Sequence, residues 1–405
     1  MSKYGYTPSS GSPTRQFMLS KSFAKLGAET TFILSRSNGS NQRWFWGLKR
    51  VENVNDVHCV ILNGPVISLG FSAKRIFSWL LFEWHLWLYC MTIKKDEQPD
   101  VIIASSMSLL TFFTSAIVKK RFKCKLVLEI RDIWPDSLVE MSSITDRNLF
   151  VKILHWVEMF GYARSDAFVS TLPHFDDYLR KKIKGDFKFL FIPQGFDKDF
   201  ISMEETDQFN DVFLPDKFNI CYAGTIGQFN NVSLLVEIAR ILNGFDIRFI
   251  ILGKGPLRKK LKEQSNEMKN VVFLDFIPKQ YVISVISKAD LLIFPSRYFP
   301  IFQYGVSPNK WTDYMLAGRP ILDTHISNLP NYKCILKDAD CAFLLNSNSP
   351  GILAETILTI SQMPTVLLNQ MGERGREYAN MNLNYDILGK RFLDFIQEIV
   401  GKQDM

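Results

Sequence analysis

The sequence alternates short apolar runs with segments of helical periodicity, and it does so in two successive series. In the first series, apolar runs of strand length lie at residues 30–34, 57–62, 100–104, 125–130, 167–171 and 187–192, after a shorter run at 3–6. In the second series, such runs lie at residues 218–222, 247–252, 271–274, 291–294, 321–323 and 342–345. This alternation is typical of parallel sheets covered by helices. We therefore predict an α/β chain with two doubly wound domains.

The chain has 405 residues, which is too long for one ordinary hydrophobic core. We place the first domain at residues 1–197, a connector at 198–216 and the second domain at 217–384. The last segment, 385–405, has a helical pattern and is expected to cross back onto the first domain. Two doubly wound domains that face each other present their ligand loops across one cleft, because such loops follow the carboxyl ends of the strands.

The composition limits the classes of binding partner and the cellular compartment that we expect. Lysine and arginine residues give a net charge of +7 and cluster at 119–125, 180–184 and 258–262. Such clusters suit anionic lipids or phosphorylated substrates, although most are solvated helix faces. No basic stripe is interleaved with aromatic residues, so a nucleic acid partner is not expected. The six cysteines are scattered without a CxxC motif, and the first residues resemble neither a signal peptide nor an anchor, which indicates a cytosolic protein.

Residues 76–93 form the most apolar stretch and are about long enough to span a bilayer. Glu83 and His85 lie in its middle, where a spanning helix would bear a cost of several kcal/mol. Its tryptophans also lie in the middle rather than at the ends. We interpret the stretch as a helix that packs partly on its domain and partly in the membrane surface. A purely internal helix is the alternative.

Residues 305–320 predict a short helix with both ends marked. Ser307 suits the N-cap, Pro308 the first helical position and Gly318 the position after the end. The unpaired N–H groups of a helix start attract anions, and Lys310 adds a full charge. Asn309, Lys310 and Asp313 share one face, which suits the diphosphate and the ribose of a nucleotide. A solvated Lys–Asp face on an ordinary capped helix remains the alternative.

Three glycine-containing turns follow apolar runs. They contain Gly11 in the loop 7–13, Gly224 and Thr225 in YAGTIG at 222–227, and Lys254 in ILGKGP at 251–256. Glycine lets backbone N–H groups approach a phosphate closely. Each turn alone is a weak signal, and none contains a G-x-G-x-x-G fingerprint.

Asp132 follows the run at 125–130, where doubly wound sheets place their sites. We expect Arg131 to keep it ionised, as a base or a hydroxyl-orienting group requires. An aspartate that caps the next helix is the alternative. The sequence has no metal-spaced cluster, no P-loop and no G-x-S-x-G, so no metal site is expected.

Taken together, the segments IPQGFD (192–197), YAGTIG (222–227), ILGKGP (251–256), VFLDFI (272–277) and DYMLAGRP (313–320) resemble the family-four glycosyltransferases. That family has two Rossmann-like domains in the arrangement called GT-B. The segments IRDIWPDS (130–137) and SPNKWTDYM (307–315) resemble more narrowly the branch that builds bacterial surface polysaccharides, such as O-antigen and capsule, by transferring amino-deoxy sugars onto lipid-linked chains.

The resemblance implies a retaining, metal-independent transfer from a nucleotide sugar, expected to be UDP-linked, to a saccharide on a polyprenyl diphosphate. It also implies a cytoplasmic enzyme bound peripherally to the inner face of the cytoplasmic membrane. By the family pattern, Asp313 stands where a glutamate holds the ribose, and Ser307, Asn309 and Lys310 meet the diphosphate. The backbone at Phe276 and Ile277 would meet the base. Asp132 falls beside the acceptor-side His–Asp pair of the family.

The sequence departs from the family pattern in two functional places. The first glutamate of the E-x7-E pair falls at Gly305, and the usual phosphate-binding Arg and Lys fall near Thr225 and Asn230. Lys310 and the helix start are therefore expected to neutralise the diphosphate. A nucleotide-sugar epimerase of the same architecture and a non-catalytic assembly partner remain as alternatives.

Overall fold

The computed structural model describes residues 1–8, 14–36, 45–65, 73–106, 108–142, 144–201, 209–324 and 332–401. Gly11 and most of the loop at 7–13 lie outside these residues. The chain divides into two compact units, one made of Met1–Pro193 with Tyr385–Met405 and the other of Gln194–Asn384. The first unit therefore ends at Pro193 rather than at 197, and the last helix belongs to it.

The described strands of the first unit form two sheets. The three-stranded sheet has the order β1-β3-β2, with β1 and β3 parallel and β2 antiparallel to β3; the four-stranded sheet has the order β4-β5-β6-β7 and is parallel. The strands are β1 (Thr31–Ser35), β2 (Lys49–Val54), β3 (Val57–Leu62), β4 (Val101–Ser105), β5 (Lys125–Ile130), β6 (Ala167–Ser170) and β7 (Lys188–Phe191). The expected strand at 3–6 is wrong, since only Ser2 forms a bridge, with Leu34. Met1 and Ser105 are also paired, because the Ser105 N–H donates to the Met1 carbonyl at 3.1 Å.

Helices cover these sheets. They are α1 (Arg15–Lys25), α2 (Ala73–Thr92), α3 (Leu110–Phe122), α4 (Asp136–Met141), α5 (Leu149–Tyr162), α6 (Phe175–Lys182) and, from the end of the chain, α14 (Tyr385–Val400). α14 packs closely on α1, because a side chain at Gly389 would overlap Ser22. The rings of Phe23 and Phe392 meet edge to face at 5.5 Å. α14 is therefore held on α1 by apolar contact, and glycine at position 389 allows the two helices to approach closely.

The described strands of the second unit form a parallel sheet of order β10-β9-β8-β11-β12-β13. Its strands are β8 (Phe218–Ala223), β9 (Ile247–Leu252), β10 (Val271–Leu274), β11 (Leu291–Phe294), β12 (Ile321–Asp323) and β13 (Ala342–Leu344). Its helices are α7 (Val232–Ile241), α8 (Arg258–Gln264), α9 (Val282–Ile286), α10 (Asn309–Leu316), α11 (Ile335–Asp338), α12 (Pro350–Ser361) and α13 (Thr365–Asn382). The chain moves outward from β8 to β10 and then returns to the other side of β8 with β11. The carboxyl ends of β8 and β11 therefore form a topological switch point, where open α/β sheets bind ligands.

The predicted α/β class and the two Rossmann-like domains with parallel sheets are confirmed. Short 3-10 helices complete the described chain at Lys95–Glu97, Lys198–Phe200, Gln228–Asn230, Lys279–Tyr281 and Pro300–Tyr304. Within the described residues, no single helix combines the length and the apolar character that crossing a membrane requires, although the bent pair α12 and α13 passes that test of length and composition together.

Candidate functional site

Two of the predicted turns contact each other at the switch point of the second unit. The Gly224 N–H donates to the Leu252 carbonyl at 2.9 Å, and the Ile226 N–H donates to the Lys254 carbonyl at 2.9 Å. A side chain at Gly253 would overlap the Gly224 carbonyl, and one at Gly255 would overlap that of Ile226. Glycine is therefore required at both positions for the turns after β8 and β9 to meet.

Lys310 lies against the first of these turns. A side chain at Gly224 would overlap Lys310 Cε, so the lysine stem fills the space that the glycine leaves open. Its Nζ donates to Asn230 Oδ1 at 2.6 Å and lies 4.9 Å from the centroid of the Tyr222 ring. Burial lowers the pKa of Lys310 to about 8. Among the described residues, no carboxylate lies within ion-pair distance of this ammonium group, so a bound anion would supply a counter-charge that these residues do not.

The start of α10 is different from the expected one. Ser307 is not the N-cap, because its Oγ accepts the Gln194 N–H at 2.9 Å, and the helix begins at Asn309 with Pro308 at the N-cap. Among the described residues, no side chain caps α10. The Trp311 N–H donates to the Pro308 carbonyl at 3.1 Å, so the Asn309 and Lys310 N–H groups are the ones that keep their capacity to bind a ligand. The end of the helix is as predicted, since Gly318 has a φ of +66°.

Asp313 forms an ion pair with Lys279, which sequence reasoning missed. The Asp313 side chain is only 14% exposed, so the alternative of a solvated Lys–Asp face on α10 is wrong. Next to this pair, the loop after β10 carries Phe276, which is exposed, and Ile277, which is buried. Lys254 Nζ lies 4.1 Å from the centroid of the Phe276 ring. The second unit thus groups Gly224, Thr225 and Lys310 at one point, and Lys254 with Phe276 at another.

Gly305 explains one departure from the family pattern. It follows the 3-10 helix Pro300–Tyr304 and has a φ of +101°, a conformation that strains every residue with a side chain. A glutamate at this position would require a different backbone.

Asp132 lies in the first unit, directly after β5. Its Oδ2 accepts a hydrogen bond from Trp134 Nε1 at 3.0 Å. Arg131 was expected to keep Asp132 ionised. The two side chains form no ion pair among the described residues, and burial raises the pKa of Asp132 more than the charge of Arg131 lowers it. Asp132 is not the cap of the next helix either, because α4 has Pro135 at its N-cap.

Sequence reasoning also missed Asn230 and Tyr222 as parts of the site. Tyr222 donates its hydroxyl to the Thr225 carbonyl at 2.7 Å and so fixes the turn. Asn230 contacts Lys310 across 80 residues of sequence, a contact that no local pattern encodes. The described residues contain no group of three or more His, Cys, Asp or Glu side chains placed to hold a metal ion.

Comparisons with known proteins agree with this fold. Residues 217–363 match the family model described as "Glycosyl transferases group 1". The chain is similar in fold to sucrose-phosphate synthase from Thermosynechococcus elongatus, with 16% identity over 96% of this chain and 95% of that chain and a TM-score of 0.73. HepE from Anabaena in complex with UDP is similar with 11% identity over 98% of both chains and a TM-score of 0.66.

A third solved structure, WaaG, "a glycosyltransferase involved in lipopolysaccharide biosynthesis", is similar with 15% identity over 99% of both chains and a TM-score of 0.62. No protein with a curated description matches the sequence. The solved structures are too distant in sequence to show more than the fold. The chain therefore has the GT-B fold of two Rossmann-like domains, and residues 217–363 of its second unit match the group 1 glycosyltransferase model.

Proposed function

We propose that the chain is a retaining glycosyltransferase that moves a sugar from a nucleotide diphosphate donor to a lipid-linked saccharide. The observation that carries the proposal is the position of Lys310, a sheltered cation without a carboxylate partner among the described residues, beside Gly224 at the switch point. The group 1 match covers this same unit. HepE, which has a similar fold, was solved with UDP.

The donor site is proposed to act mainly on the leaving group. Breaking the bond between the sugar carbon and the diphosphate oxygen places negative charge on the diphosphate. Lys310 and the first N–H groups of α10 are fixed donors that neutralise this charge, which supplies several kcal/mol without a metal ion. Lys310 thereby takes over from the Arg and Lys that the family has near Thr225 and Asn230, because its Nζ reaches Asn230. Asp313, held by Lys279, is proposed to accept the ribose hydroxyls, and the backbone at Phe276 and Ile277 to meet the base.

Asp132 is proposed to receive the proton of the acceptor hydroxyl or to orient that hydroxyl. Its raised pKa favours proton exchange nearer to neutral pH than an ordinary aspartate allows. The segments around Asp132 and Lys310 resemble the surface-polysaccharide branch. We therefore propose that the transferred sugar is an amino or deoxy sugar and that the product belongs to O-antigen, capsule or exopolysaccharide.

A face of the first unit supports contact with a membrane. On α2, the large apolar residues Phe77, Leu80 and Trp84 are more than half exposed, and they share one side of the helix. On α5, the large apolar residues Leu149, Ile153 and Trp156 are 47–71% exposed. We call these six residues the apolar face. The exposed cations Lys74 and Lys152 lie on the same two helices, and such a combination of aromatic and basic residues favours an anionic bilayer surface.

The double substitution W84S/W156S is expected to reduce sedimentation with vesicles that contain phosphatidylglycerol by about tenfold or more, because two large apolar side chains no longer enter the interface. The control is F245S, which removes an exposed aromatic residue from the second unit. Equal sedimentation of W84S/W156S and the wild type would contradict the membrane contact.

The proposed reaction is tested with a panel of nucleotide sugars. A donor that binds only the folded chain raises its melting temperature, and concentrations near 100 times the dissociation constant stabilise it by about 2.7 kcal/mol. The stabilising donor is then incubated with and without a lipid-linked saccharide. A transferase consumes the donor sugar only with the acceptor, whereas an epimerase converts it alone. Absence of binding by every nucleotide diphosphate would contradict the proposal and favour a non-catalytic partner.

A further inference from the structure

A buried charge cluster at the carboxyl ends of β4 and β5 is not used by the proposed reaction. Arg15 Nε donates to Glu129 Oε1 at 2.8 Å, and both side chains are at most 2% exposed. Arg15 also donates to the carbonyls of Ile192 and Pro193. Burial favours a higher pKa for Glu129, but the charges of Arg15 and Arg131 outweigh it and hold the pKa below its usual value. Glu129 is therefore an ionised partner that Arg15 already occupies.

Arg131 is the second cation of this cluster, and its guanidinium group lacks a partner. Its backbone N–H donates to Ser106 Oγ at 2.8 Å, which fixes the start of the side chain. The guanidinium forms no hydrogen bond or ion pair with any described residue, and its Nε is buried. Burial lowers the pKa of Arg131. A desolvated guanidinium without acceptors is unfavourable, so the fold keeps it at a cost that a bound anion would offset.

Two serines near Arg131 precede α3. Ser106 accepts the Arg131 N–H, and Ser108 is 5% exposed and has an Oγ without a hydrogen-bond partner among the described residues. α3 has 13 residues, and no described side chain caps its start. The Thr111 and Phe112 N–H groups donate to the Ser108 and Leu109 carbonyls. The Leu110 N–H is therefore the donor of this first turn that lacks a partner among the described residues. A guanidinium fork, a free hydroxyl and the N–H groups of a helix start are the donors that proteins use for phosphate.

We infer that Arg131, Ser108 and the first turn of α3 bind a phosphate group of the acceptor. Arg131 and Asp132 both follow the carboxyl end of β5, so a phosphate held here keeps the acceptor at the strand end where Asp132 is proposed to act. The role of the phosphate as part of an acceptor rests on the proposed function, whereas the binding of phosphate by this unit does not.

The test titrates the full chain with inorganic pyrophosphate by calorimetry. Lys310→Gln removes the donor-side cation, Arg131→Gln removes the cation inferred here, and Arg180→Gln is the control because its side chain is 68% exposed. In the Lys310→Gln background, adding Arg131→Gln is expected to weaken pyrophosphate binding by about tenfold or more, as loss of a charge-assisted hydrogen bond does. Adding Arg180→Gln should leave it unchanged. Equal affinities of K310Q and K310Q/R131Q would overturn the inference.

Two further measurements separate a ligand site from a structural arginine and from a site for free phosphate. Without ligand, Arg131→Gln should melt at the same temperature as the wild type or higher, and a lower value would show a structural role. With a lipid-linked acceptor, the same variant should raise the KM for the acceptor about tenfold and keep kcat within twofold. An unchanged KM alongside lost pyrophosphate binding would overturn the assignment to the acceptor. If K310Q retains nucleotide binding while R131Q loses pyrophosphate, the proposed donor site fails and the anion site stands.

Discussion

Lys310→Ala is expected to lower turnover by about two to three orders of magnitude, which corresponds to ~3–4 kcal/mol of transition-state stabilisation. The physical reason is that the Lys310 ammonium lies at the switch point without a carboxylate partner among the described residues, so its charge is available to the departing diphosphate. The chain should remain folded, because burial disfavours this charge in the absence of ligand. Steady-state kinetics with the donor identified by thermal shift provide the measurement.

The control for Lys310→Ala is Lys217→Ala, since Lys217 directly precedes β8 at the end opposite Gly224 and pairs with Asp246 at 2.6 Å. The pH dependence gives a second check. In the free protein, Lys310 loses its proton as the pH rises through about 8, so donor affinity and kcat/KM should fall above that pH. Lys310→Arg should move this alkaline limb to higher pH, because arginine keeps its charge. Near-normal turnover of Lys310→Ala would reject the role.

Asp132→Asn is expected to lower kcat by about two orders of magnitude while the affinity for the donor nucleotide changes little, because loss of a general base costs ~10²–10⁴-fold. Asparagine keeps the size of the side chain and can still accept the hydrogen bond from Trp134 Nε1. Comparison of kcat with the dissociation constant of the donor provides the measurement.

The dependence of turnover on pH in the acid range gives a second test of the role of Asp132. The carboxyl must be ionised to accept a proton, so turnover falls as the pH falls through its pKa, and burial places that limb above the usual value of about 3.9. Asp132→Asn should remove the limb. The control is Asp177→Asn, an exposed aspartate of α6. Unchanged turnover in Asp132→Asn would remove this residue from the site.

The sequence predicted most of the fold because buried parallel strands are continuous apolar runs. β5 and β9 were found in this way, and both are buried along nearly their whole length. β2 was missed because its residues are alternately exposed and half-buried, which leaves no apolar run. The first strand was misplaced because its pairing involves only the first two residues, which is too short to produce a pattern.

The candidate site was predictable in position and only partly in detail. Its glycines mark turns that follow strands, and these motifs lie where the switch point is. The partners of Lys310, Asp313 and Ser307 were not predictable, because Asn230, Lys279 and the Gln194 backbone are brought to them by tertiary packing. The direction of the Asp132 pKa shift was misjudged because adjacency in sequence does not place Arg131 within ion-pair distance of the carboxylate, and burial outweighs the charge of Arg131.

The position of α14 has a consequence for folding of the chain during its synthesis. Synthesis proceeds from residue 1 to residue 405, so the ribosome finishes the segment 194–384 before it makes the helix that covers Phe23 and Ser22. The unit whose translation starts first is therefore the last to have all its parts. Until α14 is made, the apolar side chains of α1 that it covers are exposed to solvent. In a fragment that ends at Pro193, they stay exposed.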